Sequence, residues 1–336
     1  MTGRERVKAS LNFQKPDRIS RDLWALPYIC LFKKTELDSL ITQLPMDIGL
    51  SEICLNFTND QLKLVESVGG YKDDWGSIWY VGEPGVWGEV KKPVLDDYTK
   101  LGSFKPPYHL IEKRNKDAIN ITCQKSDRFM LSHITARPFE RLQFLRGTEN
   151  LFLDLAEGNN NFSKLLNIVD EFFLKDIEWW CDTDVDGILM MDDWGSNSGL
   201  LINPKIWRSV FKPLYKKYCD MIHDSGKYVF FHSDGNIEEV FGDFIEVGID
   251  AINSQLFAMD MESLANKYKG KITLWGEIDR QYVLPFGTEE DVEASVNKVR
   301  SLFDEGKGGL IAQCEWGKDN SFKNIETVYK TWEKEI

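Results

Sequence analysis

From residue 129 to the C-terminus the chain repeats one pattern: a short run of β-branched, apolar or aromatic residues, then a longer amphipathic stretch. Successive βα units require that alternation, because parallel strands covered by helices bury both faces of the sheet. Candidate strands span residues 129–134, 187–191, 228–231, 251–253, 272–275 and 309–313. Two earlier apolar segments, 19–26 and 48–55, bring the number to eight, which a closed barrel needs. Candidate helices cover 3–11, 149–157, 162–182, 204–225, 237–247, 259–268 and 289–305. Between residues 71 and 94, Trp75, Ile78, Trp79, Tyr80, Val86, Trp87 and Val90 alternate with glycine and polar residues, the texture of a β-hairpin inserted near the N-terminus and forming a wall of the pocket. The expected fold is an α/β (β/α)8 barrel carrying that insertion. Its 336 residues lie within the range of about 250 to more than 400 that such barrels occupy. With no internal repeat or Pro/Ser-rich linker, residues 1–336 are expected to form a single domain.

Charge and apolar patterning narrow the partners. A net charge of −13 opposes a sequence-independent grip on nucleic acid, which needs a basic surface. No apolar run approaches the roughly 20 residues that span a bilayer, and residues 1–12 lack the apolar centre of a secretory signal. The expectation is a cytoplasmic protein with a small-molecule or protein partner. The six cysteines, at 30, 54, 123, 181, 219 and 314, are widely spaced with no CxxC pair, so neither a disulfide framework nor a zinc ribbon is indicated.

In a parallel barrel the residues that follow each strand gather at one mouth, where the chemistry concentrates. That rule selects Asp192-Asp193-Trp194, His232-Ser233-Asp234-Gly235, Gly276-Glu277-Ile278-Asp279 and Cys314-Glu315-Trp316. His232, Glu277 and Cys314 offer a nitrogen, an oxygen and a sulfur from three strands, a set that suits zinc with one open position. Asp234 is the alternative oxygen ligand. The competing reading makes His232 a hydrogen-bonded mouth residue, Cys314 a packing residue and Glu277 the partner of an arginine such as Arg280. Asp192, Asp193 and Asp234 are the candidate acid/base groups. Of the adjacent pair Asp192 and Asp193, only one can face the pocket, the other turning away or capping the next helix. Arg137 is placed to grip a substrate carboxylate, with ion pairing to the acidic surplus as the alternative. Trp24, Trp194 and Trp316 are the candidate aromatic walls, although tryptophans, 11 in this chain, also fill cores. His133 ends its strand and could line the mouth; His109 and His223 fall outside it.

Taken together, these stretches resemble the uroporphyrinogen decarboxylase superfamily, and within it the zinc- and corrinoid-dependent methyltransferases. The resemblance runs through Arg4-Glu5-Arg6-Val7, Pro16-Asp17-Arg18, Ala136-Arg137-Pro138-Phe139-Glu140-Arg141, Asp192-Asp193-Trp194-Gly195-Ser196, Phe231-His232-Ser233-Asp234-Gly235-Asn236, Trp275-Gly276-Glu277-Ile278-Asp279-Arg280 and the closing Gly308-Gly309 to Cys314. It implies a (β/α)8 barrel. After Asp22-Leu23-Trp24 the segment Ala25-Leu26-Pro27-Tyr28-Ile29-Cys30 has none of the arginines with which the decarboxylases hold porphyrinogen carboxylates, so porphyrinogen is not the expected substrate. Methyltransferases of this kind bind zinc through His-x-Cys and a distant cysteine, and the first and last of these fall on His232 and Cys314. Asp234 replaces the middle cysteine, and this harder ligand points to an oxygen- or nitrogen-linked methyl donor, such as a methoxylated aromatic, rather than a thiol. The chain shows no Asp-x-His-x-x-Gly cobalamin segment, so the resemblance implies a corrinoid (cobalamin) carried by a partner protein. A decarboxylase-like lyase acting on another carboxylate, and a non-catalytic barrel that binds a ligand or a corrinoid protein, stay open, as does a homodimer of the decarboxylase kind.

Overall fold

The computed structural model describes residues 1–50 and 59–334. Eight parallel strands form its main sheet: β1 Ser20–Ala25, β2 Ile48–Leu50, β3 Phe129–Ile134, β4 Gly187–Met191, β5 Tyr228–Ser233, β6 Ala251–Ser254, β7 Thr273–Trp275 and β8 Leu310–Trp316. They lie in the order β1-β8-β7-β6-β5-β4-β3-β2. Between the two outer members the Asp47 N–H donates to the Arg21 carbonyl at 2.8 Å, drawing the sheet toward closure as a (β/α)8 barrel. The expected strand 48–55 appears as Ile48–Leu50, and its remainder lies outside the described residues.

Strand alternation sorts each side chain to one of two cores. Ile48, Phe129, Leu131, Leu189, Phe230, Ala251, Trp275 and Ile311 point into the barrel. Their neighbours, such as Leu23, Met130, Ile188, Phe231 and Ala312, point out against the helices. The helix Gly3–Leu11 plugs the N-terminal end of the barrel with Val7 and Leu11, and a Thr2/Glu5 capping box starts it. Arg6 and Arg18 of the opening motifs close on the Asp47 carboxylate at 2.5 and 2.7 Å, and the Arg21 N–H donates to the same group at 2.8 Å. Those motifs therefore tie the β1–β2 seam at the end of the barrel opposite the mouth.

Two expected elements differ. The helix expected over 204–225 is two helices, Pro204–Val210 and Lys212–Asp224. Pro213 has no N–H to continue the first ladder, and its ring suits the opening turn of a new helix. The expected hairpin is a three-stranded antiparallel sheet of Gly69–Lys72, Ile78–Val81 and Glu89–Lys92, inserted between β2 and β3. Its tip, from Asp73 to Ser77, is closed by Asp73, which accepts from the Ser77 N–H at 2.7 Å and from Trp79 Nε1 at 2.9 Å. Glu83 pairs with Lys318 at 2.7 Å, beyond the end of β8, and Trp75 packs edge-on against Phe172. The inserted sheet thus stands at the mouth rim, as a pocket wall should. Among the described residues no helix is long and apolar enough to cross a membrane.

Candidate active site at the barrel mouth

His232, near the end of β5, is the centre of the site and is almost fully buried. Its Nδ1 lies 2.5 Å from Asn253 Oδ1 on neighbouring β6. The Asn253 amide is oriented by its other end, where Nδ2 donates to the Trp275 carbonyl at 2.5 Å and to Gln313 Oε1 at 3.0 Å. Because those two partners are acceptors, the oxygen of Asn253 must face His232, and Nδ1 must carry the proton. Nε2 is left facing the mouth, 3.2 Å from Asp234 and 3.6 Å from Asp193. The Trp24 ring, which ends β1, lies 4.9 Å from the imidazole and 5.1 Å from the Trp275 ring. Asn253 and Gln313 are functional positions that reading the strand ends did not select. Their signal was alternation: each is a buried polar residue two positions after an inward apolar one, Ala251 or Ile311.

Carboxylates crowd the rest of the mouth. Arg280 forms a close ion pair with Asp234, and it meets Glu277 at 3.2 Å and Glu315 at 2.8 Å. Burial works against the charge on His232, yet Asp234 and Asp193 raise its pKa to about 9. Burial, Glu140 and Asp234 push Asp193 up to about 7. Burial carries Glu277 up to about 8 against the pull of Arg280, with Glu315 and Asp234 adding to the rise. For Asp234 burial opposes the charge, but His232 and Arg280 prevail and hold it below the usual carboxylate range. Two groups, Asp193 and Glu277, are therefore poised to carry protons near neutral pH.

The expected zinc set is not assembled as His232, Glu277 and Cys314. Cys314 has the outward parity of β8: Ile311 and Gln313 face in, while the Cys314 thiol is buried against the Tyr329 hydroxyl, 3.6 Å away in the C-terminal helix. Burial pushes that thiol up to about 12, so it is not a ready thiolate. Glu277 does reach the mouth, bound to Arg280 as the competing reading had it. Among the described residues the cluster able to gather on a cation is Asp193, His232 and Asp234, whose donor atoms all lie within 4.8 Å of one another.

The two aspartates after β4 divide as the alternation requires. Asp193 faces the mouth, and its Oδ1 accepts from the Asp234 N–H at 3.0 Å. Asp192 is fully buried and caps the helix Pro138–Arg146, accepting from the N–H groups of Phe139 and Glu140 at 2.9 and 2.8 Å and from the Tyr215 hydroxyl at 2.5 Å. It is thereby removed from contact with a substrate, and its expected acid/base place passes to Asp193. Trp194 stacks on Phe139 at 4.2 Å and donates to Tyr215, and Trp316 donates to the Asn320 carbonyl; both are fully buried core rather than pocket wall. Trp24 and Arg137 remain at the mouth, Arg137 being ion-paired to Glu140. His133 turns toward Trp180, and burial lowers its pKa to about 4.

An imidazole of fixed tautomer, the two carboxylates that flank it and a further buried acid at the C-terminal ends of barrel strands define a (β/α)8-barrel enzyme site. Residues 79–332 match the family model of uroporphyrinogen decarboxylase (URO-D), and the chain belongs to that family. Among curated proteins it is similar to the methylcobamide:CoM methyltransferase MtbA of Methanosarcina mazei, 26% identical over 177 residues. That match takes in 53% of this chain and spans half the length of the relative. Among solved structures it superposes on a methyltransferase from Methanosarcina mazei with a TM-score of 0.69 at 15% identity, covering 99% of this chain and 98% of the other.

Proposed function

We propose that the protein is a methyltransferase that moves a methyl group between a small substrate and a corrinoid carried by a separate protein, with zinc held by Asp193, His232 and Asp234. The observation that carries this reading is the orientation of His232. With Nδ1–H committed to Asn253, Nε2 is presented to two carboxylates, the arrangement in which an imidazole serves as a metal ligand. The donor set suits a divalent cation of borderline hardness, and the charges agree with it: four carboxylates, Asp193, Asp234, Glu277 and Glu315, gather around Arg280 and His232. Bound there, zinc supplies a Lewis acid that polarises the atom bearing the methyl group.

The chain's own residues do the rest. Asn253 sets the His232 tautomer, Arg280 ties the mouth carboxylates of three segments together, and Trp24 covers the imidazole with an apolar face. As the methyl group leaves, its bonding electrons stay on the oxygen or nitrogen of the donor. That atom takes a proton from Glu277, whose carboxyl burial raises to about 8 and so keeps largely protonated at neutral pH. With no thiolate in the cluster, an oxygen- or nitrogen-linked donor such as a methoxylated aromatic suits the site better than a thiol.

One feature favours a second reading. Arg280 already neutralises Asp234, as it would in a metal-free lyase of the decarboxylase kind that uses Asp193 or Glu277 to protonate a carbanion. Elemental analysis separates the two. The methyltransferase reading expects about one zinc per chain, lost in His232→Ala and Asp234→Asn and retained in Cys314→Ala, with methyl transfer from a methoxylated aromatic to reduced cobalamin followed by absorbance. Protein that stays metal-free after zinc is supplied, and that releases carbon dioxide from a carboxylate substrate, establishes the lyase instead.

A further inference from the structure

Arg137, the N-cap of the helix that follows β3, and Arg141, in its first turn, come together on one side of that helix. Both guanidinium carbons sit over the Phe144 ring, at 5.3 and 5.4 Å. Arg137 is held by Glu140, and the mouth carboxylate Asp193 is among the charges that act on it. Arg141 is different. Its guanidinium is mostly buried against Trp75, 4.5 Å away, while Nε and Nη1 are shut off from solvent and donate no hydrogen bond to the described residues.

Its nearest counter-charge is Asp73, 3.5 Å from Nη1, with Glu140 and Asp192 acting from farther off, and Asp73 already accepts from the Ser77 N–H and from Trp79. Stacking on an aromatic ring returns about 0.5–2 kcal/mol, whereas burying an ion whose donors are left unsatisfied costs several. Burial and the neighbouring Arg137 accordingly pull the Arg141 pKa down to about 10. A guanidinium with unmet N–H groups beside a reactive mouth calls for one more negative charge.

We propose that Arg141, with Arg137, forms an anion subsite that binds a carboxylate of the substrate while its reacting end lies at His232. A carboxylate brings the single charge and the oxygen acceptors that the unmet donors of one guanidinium require. The substrate class becomes a small carboxylic acid rather than a neutral ether. The inference rests on the proposed placement of the reaction at His232, but it concerns binding and not the chemistry.

Calorimetric titration of the full chain with benzoate, benzamide and phenyl phosphate tests it, because none of these carries a transferable methyl group. Benzoate is expected to bind at least about 10-fold more tightly than benzamide, as loss of a charge-assisted hydrogen bond costs 10-fold or more. Arg141→Gln is expected to erase that preference and Arg141→Lys to retain part of it. Equal binding of benzoate and benzamide by the wild type, or a preference that survives in Arg141→Gln, overturns the inference. Tighter binding of phenyl phosphate than of benzoate overturns the assignment to a carboxylate. If Arg141→Gln does not fold, the wild-type ratio and Arg141→Lys decide. A carboxylate preference without methyl transfer would leave the subsite standing and remove the methyltransferase reading; the reverse result would do the opposite.

Discussion

Replacing Asn253 by alanine tests the logic of the site at its least obvious point. Asn253 lies behind the imidazole and touches no solvent, yet its three hydrogen bonds decide which nitrogen of His232 faces the mouth. Alanine leaves the His232 Nδ1–H and the Trp275 carbonyl buried and unmatched, while Gln313 can turn to recover a partner. At about 1–3 kcal/mol for each of the two unmatched buried groups, the loss of stability is about 2–6 kcal/mol. Loss of a group that orients a metal ligand weakens metal binding by about 10- to 100-fold. Urea denaturation measures the first quantity and competition with a zinc chelator the second. Nitrogen NMR of the histidines reads the tautomer directly, with or without metal, and should show a single protonated Nδ1 in the wild type when His232 is neutral and a mixture in the variant. An unchanged tautomer together with unchanged stability would refute the reasoning, because the amide would then not be what holds the ring.

Three further outcomes are expected. Asp22 lies inside the barrel, where it accepts from Trp275 Nε1, and burial pushes it up to about 6. A carboxyl with a raised folded pKa stabilises fully below its unfolded value near 4 and loses that contribution as pH rises through 6. Asp22→Asn should therefore gain about 2–3 kcal/mol over wild type at pH 8 and nothing near pH 4, as read from urea midpoints at the two pH values. Asp47→Asn removes the carboxylate that holds Arg6 and Arg18 at the β1–β2 seam. It should cost about 1–3 kcal/mol, because charge-assisted hydrogen bonds at the seam are weakened while Arg6 keeps its pair with Asp17; a change under about 0.5 kcal/mol would show that the seam does not depend on it. Leu11→Ala empties part of the plug at the N-terminal end of the barrel and should cost about 2–5 kcal/mol in denaturant without altering zinc content.

Much of the architecture was legible in the chain itself. Alternating apolar runs and amphipathic stretches specify βα units wherever they occur, because both faces of a parallel strand must be buried, and the strand ends then single out His232, Asp193, Asp234 and Glu277 as mouth residues. The helix break at Pro213 was also written in the sequence, since a missing N–H acts locally, although the periodicity alone ran through it. Parity at the strand ends was not so readable. Whether Cys314 or Glu315 faces the mouth depends on where β8 begins and on its register with β1, where Leu23 pairs with Cys314. A shift of one residue exchanges the faces, so a sequence motif that placed a thiolate in the zinc set could not decide it.

The partners of each charged group lie farther still from anything local. Asn253 meets His232 across a strand pair, Arg280 collects carboxylates that follow β5, β7 and β8, and Arg141 rests on a tryptophan from an inserted sheet 66 positions earlier. Residue type and spacing determined the barrel and the strand ends that carry its imidazole and carboxylates, because burial and backbone bonding act over a few neighbouring positions. The tertiary structure alone decided which of those groups meet, because hydrogen bonds and ion pairs depend on a few ångströms between segments that are distant in the chain.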